Sequence, residues 1–222
     1  MILVHHLADS RSQRVLWLLE ELGLDYNIRR YERDPRTHLA PPELKGVHPL
    51  GKAPILQDGS VTVVETGAII EYLLDTYDAK GRLRPPRGTP EGRQFTYWVH
   101  YAEGSAMPPL LLKLVFAQLP RRAPGLIRPL VKSISAKANG GFIDPQLKTH
   151  LAWQESQLNQ TGWFAGQDFS AADIMMSFPL EAACSRAVSR SEYPNIDRFL
   201  KAVHARPAWI KARERGGDYA YA

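Results

Sequence analysis

The sequence predicts a small α/β domain followed by an all-helical one. Two observations carry this. Short apolar runs of strand length alternate with helix-period stripes in the first third, whereas beyond residue 90 only the helical period recurs. Between them, residues 79–89 dissolve into Gly, Pro and Arg, the composition of a linker. The expected domains are therefore 1–80 and 90–222.

Taken in order, residues 2–6 read as a strand. From Ser12 onward, Val15, Leu18, Leu19 and Leu22 recur at i, i+3, i+4 and i+7, one apolar stripe of a helix, and Gly23 closes it at the C-cap. Residues 25–31 alternate enough for a second strand. Residues 34–48, with three prolines, read as a loop with a short helical turn near 42–45. Residues 54–56 and 61–64 flank Asp58-Gly59, a strong hairpin signal. Ile70, Leu73, Leu74 and Tyr77 then mark another amphipathic helix. A strand–helix–strand unit suggests a parallel pair, and the hairpin adds antiparallel strands. This is the element order of the thioredoxin-like fold.

Beyond the linker, residues 91–119 form a long periodic stretch that Pro108-Pro109 should kink. Helices over 125–138 and 145–158 follow, with Asn139-Gly140-Gly141 expected to separate them. Ser170-Ala171-Ala172-Asp173 resembles a capping box with Asp where Glu is usual, and Phe169 before it is placed to staple onto Ile174. Pro194 opens a helix with the stripe Ile196, Phe199, Leu200 and Val203, and Pro207 starts the last. Trp17, Trp153, Trp163 and Trp209 are assigned to the core.

Composition narrows the function. With 222 residues, 44% hydrophobic and 23% charged, the chain can bury a sizeable core. No apolar run reaches the roughly 18 residues of a membrane-spanning helix, and the N-terminus lacks the pattern of a secretory signal. Cys184 is the single cysteine, so no intrachain disulfide can form; a cytoplasmic address and a buried, inert thiol are expected. The net charge of +5 is uneven, because no acid falls between Glu103 and Asp144 while six Lys and Arg do. Without stacking aromatics or a nucleic-acid motif, that stretch reads as a solvated or crevice-lining face, and no nucleic-acid partner is expected. No metal site is expected either.

Three segments could carry chemistry. Ser10-Arg11-Ser12-Gln13-Arg14 lies where the first strand feeds a helix N-terminus, so backbone N–H groups and the positive end of the macrodipole favour a thiolate. A hydroxyl there would donate to that thiolate, or Ser10 or Ser12 would simply cap the helix. Gly51-Lys52-Ala53-Pro54 precedes the third strand, where a cis proline frees backbone to pair with an extended peptide, or an ordinary edge-strand proline sits. Glu65-Thr66-Gly67 opens the next helix; its N–H groups and the Thr66 hydroxyl suit a carboxylate, and Glu65 suits an amine. An amine beside a carboxylate describes the end of an amino acid.

In this order and on these elements, the chain resembles the cytosolic glutathione transferase family over essentially its whole length. The resemblance rests on Ser10-Arg11-Ser12-Gln13-Arg14, on His48-Pro49-Leu50-Gly51-Lys52-Ala53-Pro54-Ile55-Leu56, on Glu65-Thr66, and on Phe169-Ser170-Ala171-Ala172-Asp173 and Tyr193-Pro194-Asn195-Ile196. It is closest to the serine-type, theta-like bacterial and fungal members. The resemblance implies a glutathione site in the first domain, an electrophile pocket walled by the second, and a homodimer. It implies that Ser10, with Ser12 as runner-up, stabilises the glutathione thiolate. It implies that Arg11, Lys52, Ala53, Pro54, Glu65 and Thr66 bind glutathione, with His38 a further cation for the glycine carboxylate. Ala53 stands where the family more often has Val, and Thr66 where it has Ser. For the electrophile the expected residues are Tyr97, His100, Tyr101 and Ser105, early in the long helix near Glu103, with Met107 and Phe116 as apolar lining.

The expected activity is conjugation of glutathione to small electrophiles, with hydroperoxides as a further substrate class. A thiol-disulfide oxidoreductase would need a cysteine within residues 8–14, which hold none. The alternatives left open are a non-catalytic binding protein on this scaffold and a glutathione-dependent isomerase or dehalogenase.

Overall fold

A computed structural model describes residues 1–221. Its first part is β1 (Ile2–Leu7), α1 (Gln13–Leu22), β2 (Tyr26–Tyr31), β3 (Ile55–Asp58), β4 (Val61–Val64) and α2 (Thr66–Tyr77), in the sheet order β2-β1-β3-β4. β1 runs parallel to β2 and antiparallel to β3, and β3 pairs with β4 across the Asp58-Gly59 hairpin. Gly23 adopts the left-handed conformation that ends α1, with φ of 69°.

The helical part continues as α3 (Pro90–Tyr101), α4 (Met107–Arg122), α5 (Arg128–Ala138), α6 (Asp144–Thr161), α7 (Ala171–Arg186), α8 (Pro194–His204) and α9 (Pro207–Gly216). The stretch expected to kink at Pro108-Pro109 stays helical through them and widens ahead of them, in a π-helical turn at Ala102–Ala106. Because the prolines supply no N–H, the ladder is already relaxed when they enter the first turn of α4. Likewise Asn139-Gly140-Gly141 does not separate two helices; Asn139–Ile143 is a second π-helical turn through which α5 passes into α6.

The Ser170 capping box forms as read. Ser170 Oγ accepts the Ala172 N–H, and the Asp173 carboxylate accepts the Ser170 N–H at 2.8 Å. Asp173 is fully buried and also accepts the Phe164 N–H at 2.8 Å, so one carboxylate ties the loop before α7 to the helix. The Phe169 ring packs against Trp17 and Trp163, with the Arg206 guanidinium 3.6 Å from its centroid. Trp153 corrects the assignment of the tryptophans to the core: it is 44% exposed, stacked on the fully buried Trp98.

The core runs continuously from the sheet side of α1 and α2 into α7, whose residues are buried almost throughout. α9 returns to pack on α1. Gly216, at its end, packs directly against α1 side chains: a Cβ there would meet Gln13 Oε1 at 2.7 Å and Leu16 Cδ1 at 2.9 Å. Among the described residues no helix is long and apolar enough to cross a membrane, and no cluster of three or more His, Cys, Asp or Glu side chains could hold a metal ion. Cys184 is half-buried, and burial pushes its thiol above its ordinary pKa.

Candidate active site

The turn from β1 into α1 carries both serines, and their surroundings differ. Ser12 Oγ lies within the fold, 2.8 Å from His6 Nδ1 and 3.2 Å from both the Leu7 N–H and the Leu7 carbonyl. His6 is buried and its ring also bonds the Gly216 backbone; burial, aided by the nearby Arg30 charge, lowers its pKa to about 4. The imidazole is therefore neutral. With one ring nitrogen donating to the Gly216 carbonyl, Nδ1 is left as an acceptor, and the Ser12 proton goes to it. Ser12 Oγ then accepts from the Leu7 N–H and from Ser10, whose Oγ is 2.7 Å away. Ser10 Oγ in turn accepts the Ser12 N–H at 3.2 Å. Neither serine caps α1 in the ordinary way: no side-chain bond reaches the first-turn amides beyond Ser12.

Ser10 borders a cleft made of two adjoining cavities. One, of about 240 Å³, is lined by Lys52, Ala53, Pro54, Glu65 and Thr66, the residues grouped by sequence, and by Arg11, His48 and Glu103. The other, of about 310 Å³, shares Arg11, Lys52 and Ala53, and adds Ser10 together with Met107, Leu111, Phe178 and Tyr221. The Ala53-Pro54 peptide is cis. Glu65 holds φ at 71°, a conformation that L side chains seldom adopt, immediately before the N-terminus of α2. That helix offers its first amides and the buried Thr66 to the smaller cavity.

Glu103, at the π-helical turn, forms the far wall. Arg14, fully buried in α1, donates to the Glu103 carboxylate and, at 2.7 Å, to the Met175 carbonyl of α7. Arg11 Nε lies 3.1 Å from the other Glu103 oxygen. Burial alone would raise the Glu103 carboxyl, but Arg14 and Arg11 outweigh it and hold the group below its ordinary pKa. A charged bridge thus joins the sheet domain to the helical one at the edge of the cleft.

The remaining residues expected at the site lie elsewhere. His38 is exposed and not on either cavity wall; Asp34 accepts the Arg36 and Thr37 N–H groups, and this turn leaves His38 left-handed, with φ of 59°. His48 lines the smaller cavity in its stead. Tyr97, His100, Tyr101 and Ser105 line neither cavity. Tyr97 and Tyr101 pack with Trp98 beside α6, where Tyr97 accepts from Trp153 and Tyr101 bonds His150; burial pushes the Tyr101 phenol up to about 12. The aromatic rings find apolar partners on α6, so that face of α3 turns from the cleft, and His100 is left exposed.

The walls hold residues that the sequence did not single out. Leu111, Leu114, Phe178, Arg186 and Tyr221 line the larger cavity. Tyr221 arrives because the chain after α9 folds back: Tyr219 donates to the buried Glu181, the Ala220 N–H donates to Asp9 Oδ1 at 2.7 Å, and the Tyr221 ring packs 5.3 Å from that of Phe178. Only tertiary structure brings these positions to Ser10. Phe178 had one sequence signal, its place in a helix apolar on every side.

Comparison with known proteins bears on the whole chain. The glutathione S-transferase N-terminal domain family matches residues 1–75, and the glutathione S-transferase C-terminal domain family matches residues 128–212. Glutathione S-transferase 3 of Schizosaccharomyces pombe is 34% identical over 98% of this chain and 89% of its own length. Glutathione S-transferase 1 of Saccharomyces cerevisiae is 33% identical over 97% of this chain and 95% of its own. Among solved structures, a glutathione S-transferase from Actinobacillus pleuropneumoniae superposes with a TM-score of 0.82 at 34% identity, covering 100% of this chain and 95% of that one.

Proposed function

Given that the chain belongs to the glutathione S-transferase family, we propose that Ser10, and not Ser12, holds the glutathione sulfur as a thiolate. The protein is an enzyme that conjugates glutathione, its co-substrate, to small electrophiles. The observation that carries the serine assignment is the division of labour at the turn. Ser12 Oγ is spent on His6 and Leu7, whereas Ser10 borders the cleft and its Oγ, among the described residues, has its only acceptor in Ser12.

In this reading glutathione lies extended across the smaller cavity. Its cysteinyl unit pairs with the Ala53 backbone beside Pro54. The Thr66 hydroxyl and the first amides of α2 receive the γ-glutamyl carboxylate, and Glu65 takes the amine, with Glu103 within the same wall. Lys52 and Arg11, joined by His48, meet the glycine carboxylate. The sulfur then comes to Ser10. Its proton leaves to solvent, Ser10 turns its O–H from Ser12 to the sulfur, and the dipole of α1 adds to the stabilisation. The thiolate lone pair attacks the electrophilic carbon, and Ser10 is never covalently modified. Residues 1–80 serve as the glutathione domain and 90–222 supply the electrophile wall. We further infer a homodimer acting in the cytoplasm, consistent with the family resemblance.

Isothermal titration with glutathione beside an aryl-halide conjugation assay tests the reading. Binding with turnover that Ser10→Ala abolishes while binding persists supports it. An active Ser10→Ala and an inactive, fully folded Ser12→Ala would transfer the role to Ser12.

A further inference from the structure

The larger cavity has an apolar body and a cation on its wall, Arg186, that is in no ion pair among the described residues. Met107, Leu111, Leu114 and Phe178 form the body, and Arg186, the last residue of α7, stands at its rim with Tyr221. The guanidinium donates to the Tyr221 hydroxyl and lies 5.1 Å from the centre of that ring. Among the described residues it has no carboxylate within ion-pairing distance and bonds no backbone carbonyl of its helix end.

Two of the other cations on the wall face protein partners. Arg11 faces Glu103 at 3.1 Å. Arg33 spends three donors on the carbonyls of Ala8, Asp9 and His38, at 3.0–3.1 Å. Lys52 borders the glutathione cavity as well. The wall's one further carboxylate among the described residues, Asp9, accepts the Ala220 N–H. Arg186 thus presents most of a five-donor fork to a cavity that Ser10 also lines.

From this juxtaposition we propose that the electrophile of this enzyme carries a carboxylate or comparable oxyanion, bound by Arg186. The proposal rests on the transferase reading above and names its substrate class. An aromatic or aliphatic body lies against Leu111 and Phe178, the anion takes two N–H donors of Arg186, and the electrophilic carbon faces the thiolate at Ser10. With an aryl chloride, the sulfur lone pair forms the S–C bond, the ring carries the negative charge, and the C–Cl bond breaks to release chloride. Tyr221 holds the guanidinium in place by ring contact and hydroxyl, and so acts as its positioning residue.

The test compares a chloronitrobenzoate with the matching neutral chloronitrobenzamide, each kcat/KM divided by the uncatalysed rate with glutathione. In the native enzyme the benzoate is expected to exceed the amide. Arg186→Gln, which keeps a donor for Tyr221, is expected to lower the benzoate-to-amide ratio about tenfold, and Arg186→Lys to recover part of it. An unchanged ratio in Arg186→Gln, or a native preference for the amide, overturns the proposal. So does a rise in the glutathione KM that affects both electrophiles alike, which would give Arg186 to the glycine carboxylate. Turnover of the amide secures the transferase reading whatever the ratio. Failure of the native enzyme on both compounds removes that reading and this one together.

Discussion

The hydroxyls of Ser10 and Ser12 lie 2.7 Å apart, yet only Ser10 borders the cleft, while Ser12 is anchored 2.8 Å from a buried neutral histidine. Proximity in sequence therefore hides a division between a residue at the cleft and one anchored inside the fold.

Substitution should separate the two. Ser10→Ala is expected to lower kcat/KM by about 10²–10³, the cost of one donor to a developing or stabilised anion, with little change in melting temperature. Ser12→Ala should instead destabilise by about 1–3 kcal/mol, because the Leu7 N–H and the His6 nitrogen lose a buried partner. Its pH–rate profile should shift to higher pH as Ser10 loses its fixed orientation. Steady-state kinetics across pH, with calorimetry on the same samples, reads both.

His6 gives folding stability a pH dependence of known sign. Its folded pKa, about 4, is below the 6.5 of an ordinary histidine. The unfolded chain therefore binds the proton first, and the stability that the neutral imidazole contributes is full above pH 6.5 and lost as pH falls towards 4. At about 1.36 kcal/mol per pH unit, the difference is on the order of 3 kcal/mol. Urea unfolding over this range should show a steeper loss in the native protein than in His6→Asn; parallel curves would refute the assignment.

Removing Glu103 exposes the cost of the interdomain bridge. Arg14 is fully buried, so Glu103→Ala leaves an uncompensated guanidinium and should destabilise by about 3–5 kcal/mol. The double variant Arg14→Met/Glu103→Leu should regain most of that loss. Chemical denaturation of the three proteins measures the coupling.

Asp173→Ala removes the buried acceptor of the Phe164 and Ser170 N–H groups and half of the capping box. A loss of about 2 kcal/mol or more is expected, with glutathione affinity of the folded fraction retained. Asp173→Asn, which keeps one oxygen, should fall between the two.

Elements defined by local chemistry were legible in the sequence. Gly23 ends α1, Asp58-Gly59 turns the hairpin, and Ser170 with Asp173 starts α7 because each needs only its neighbours. The group Lys52, Ala53, Pro54, Glu65 and Thr66 was assembled from resemblance, and the fold gathers it on one cavity. The second wall was not legible. A π-helical turn adds a residue to the helix and rotates the downstream side chains by about 100°, so Ser105, inside the turn at Ala102–Ala106, leaves the register of Tyr97 and Tyr101 before it. Tyr97 and Tyr101 also answer to Trp98 and Trp153, a stack across α3 and α6 that no local pattern contains. Arg186 and Tyr221 reach Ser10 from the far end of the chain, through contacts made by Asp9 and Glu181.

The Arg14 bridge has an evolutionary corollary. A guanidinium fully enclosed between a carboxylate from the helical domain and a main-chain carbonyl of α7 makes the halves co-dependent in descent. A recombinant that joined this sheet domain to a cousin's helical domain would inherit the cation without its acceptors, unless the residue at 103 and the local course of α7 travelled with it. Shuffling between lineages is thereby penalised at the seam.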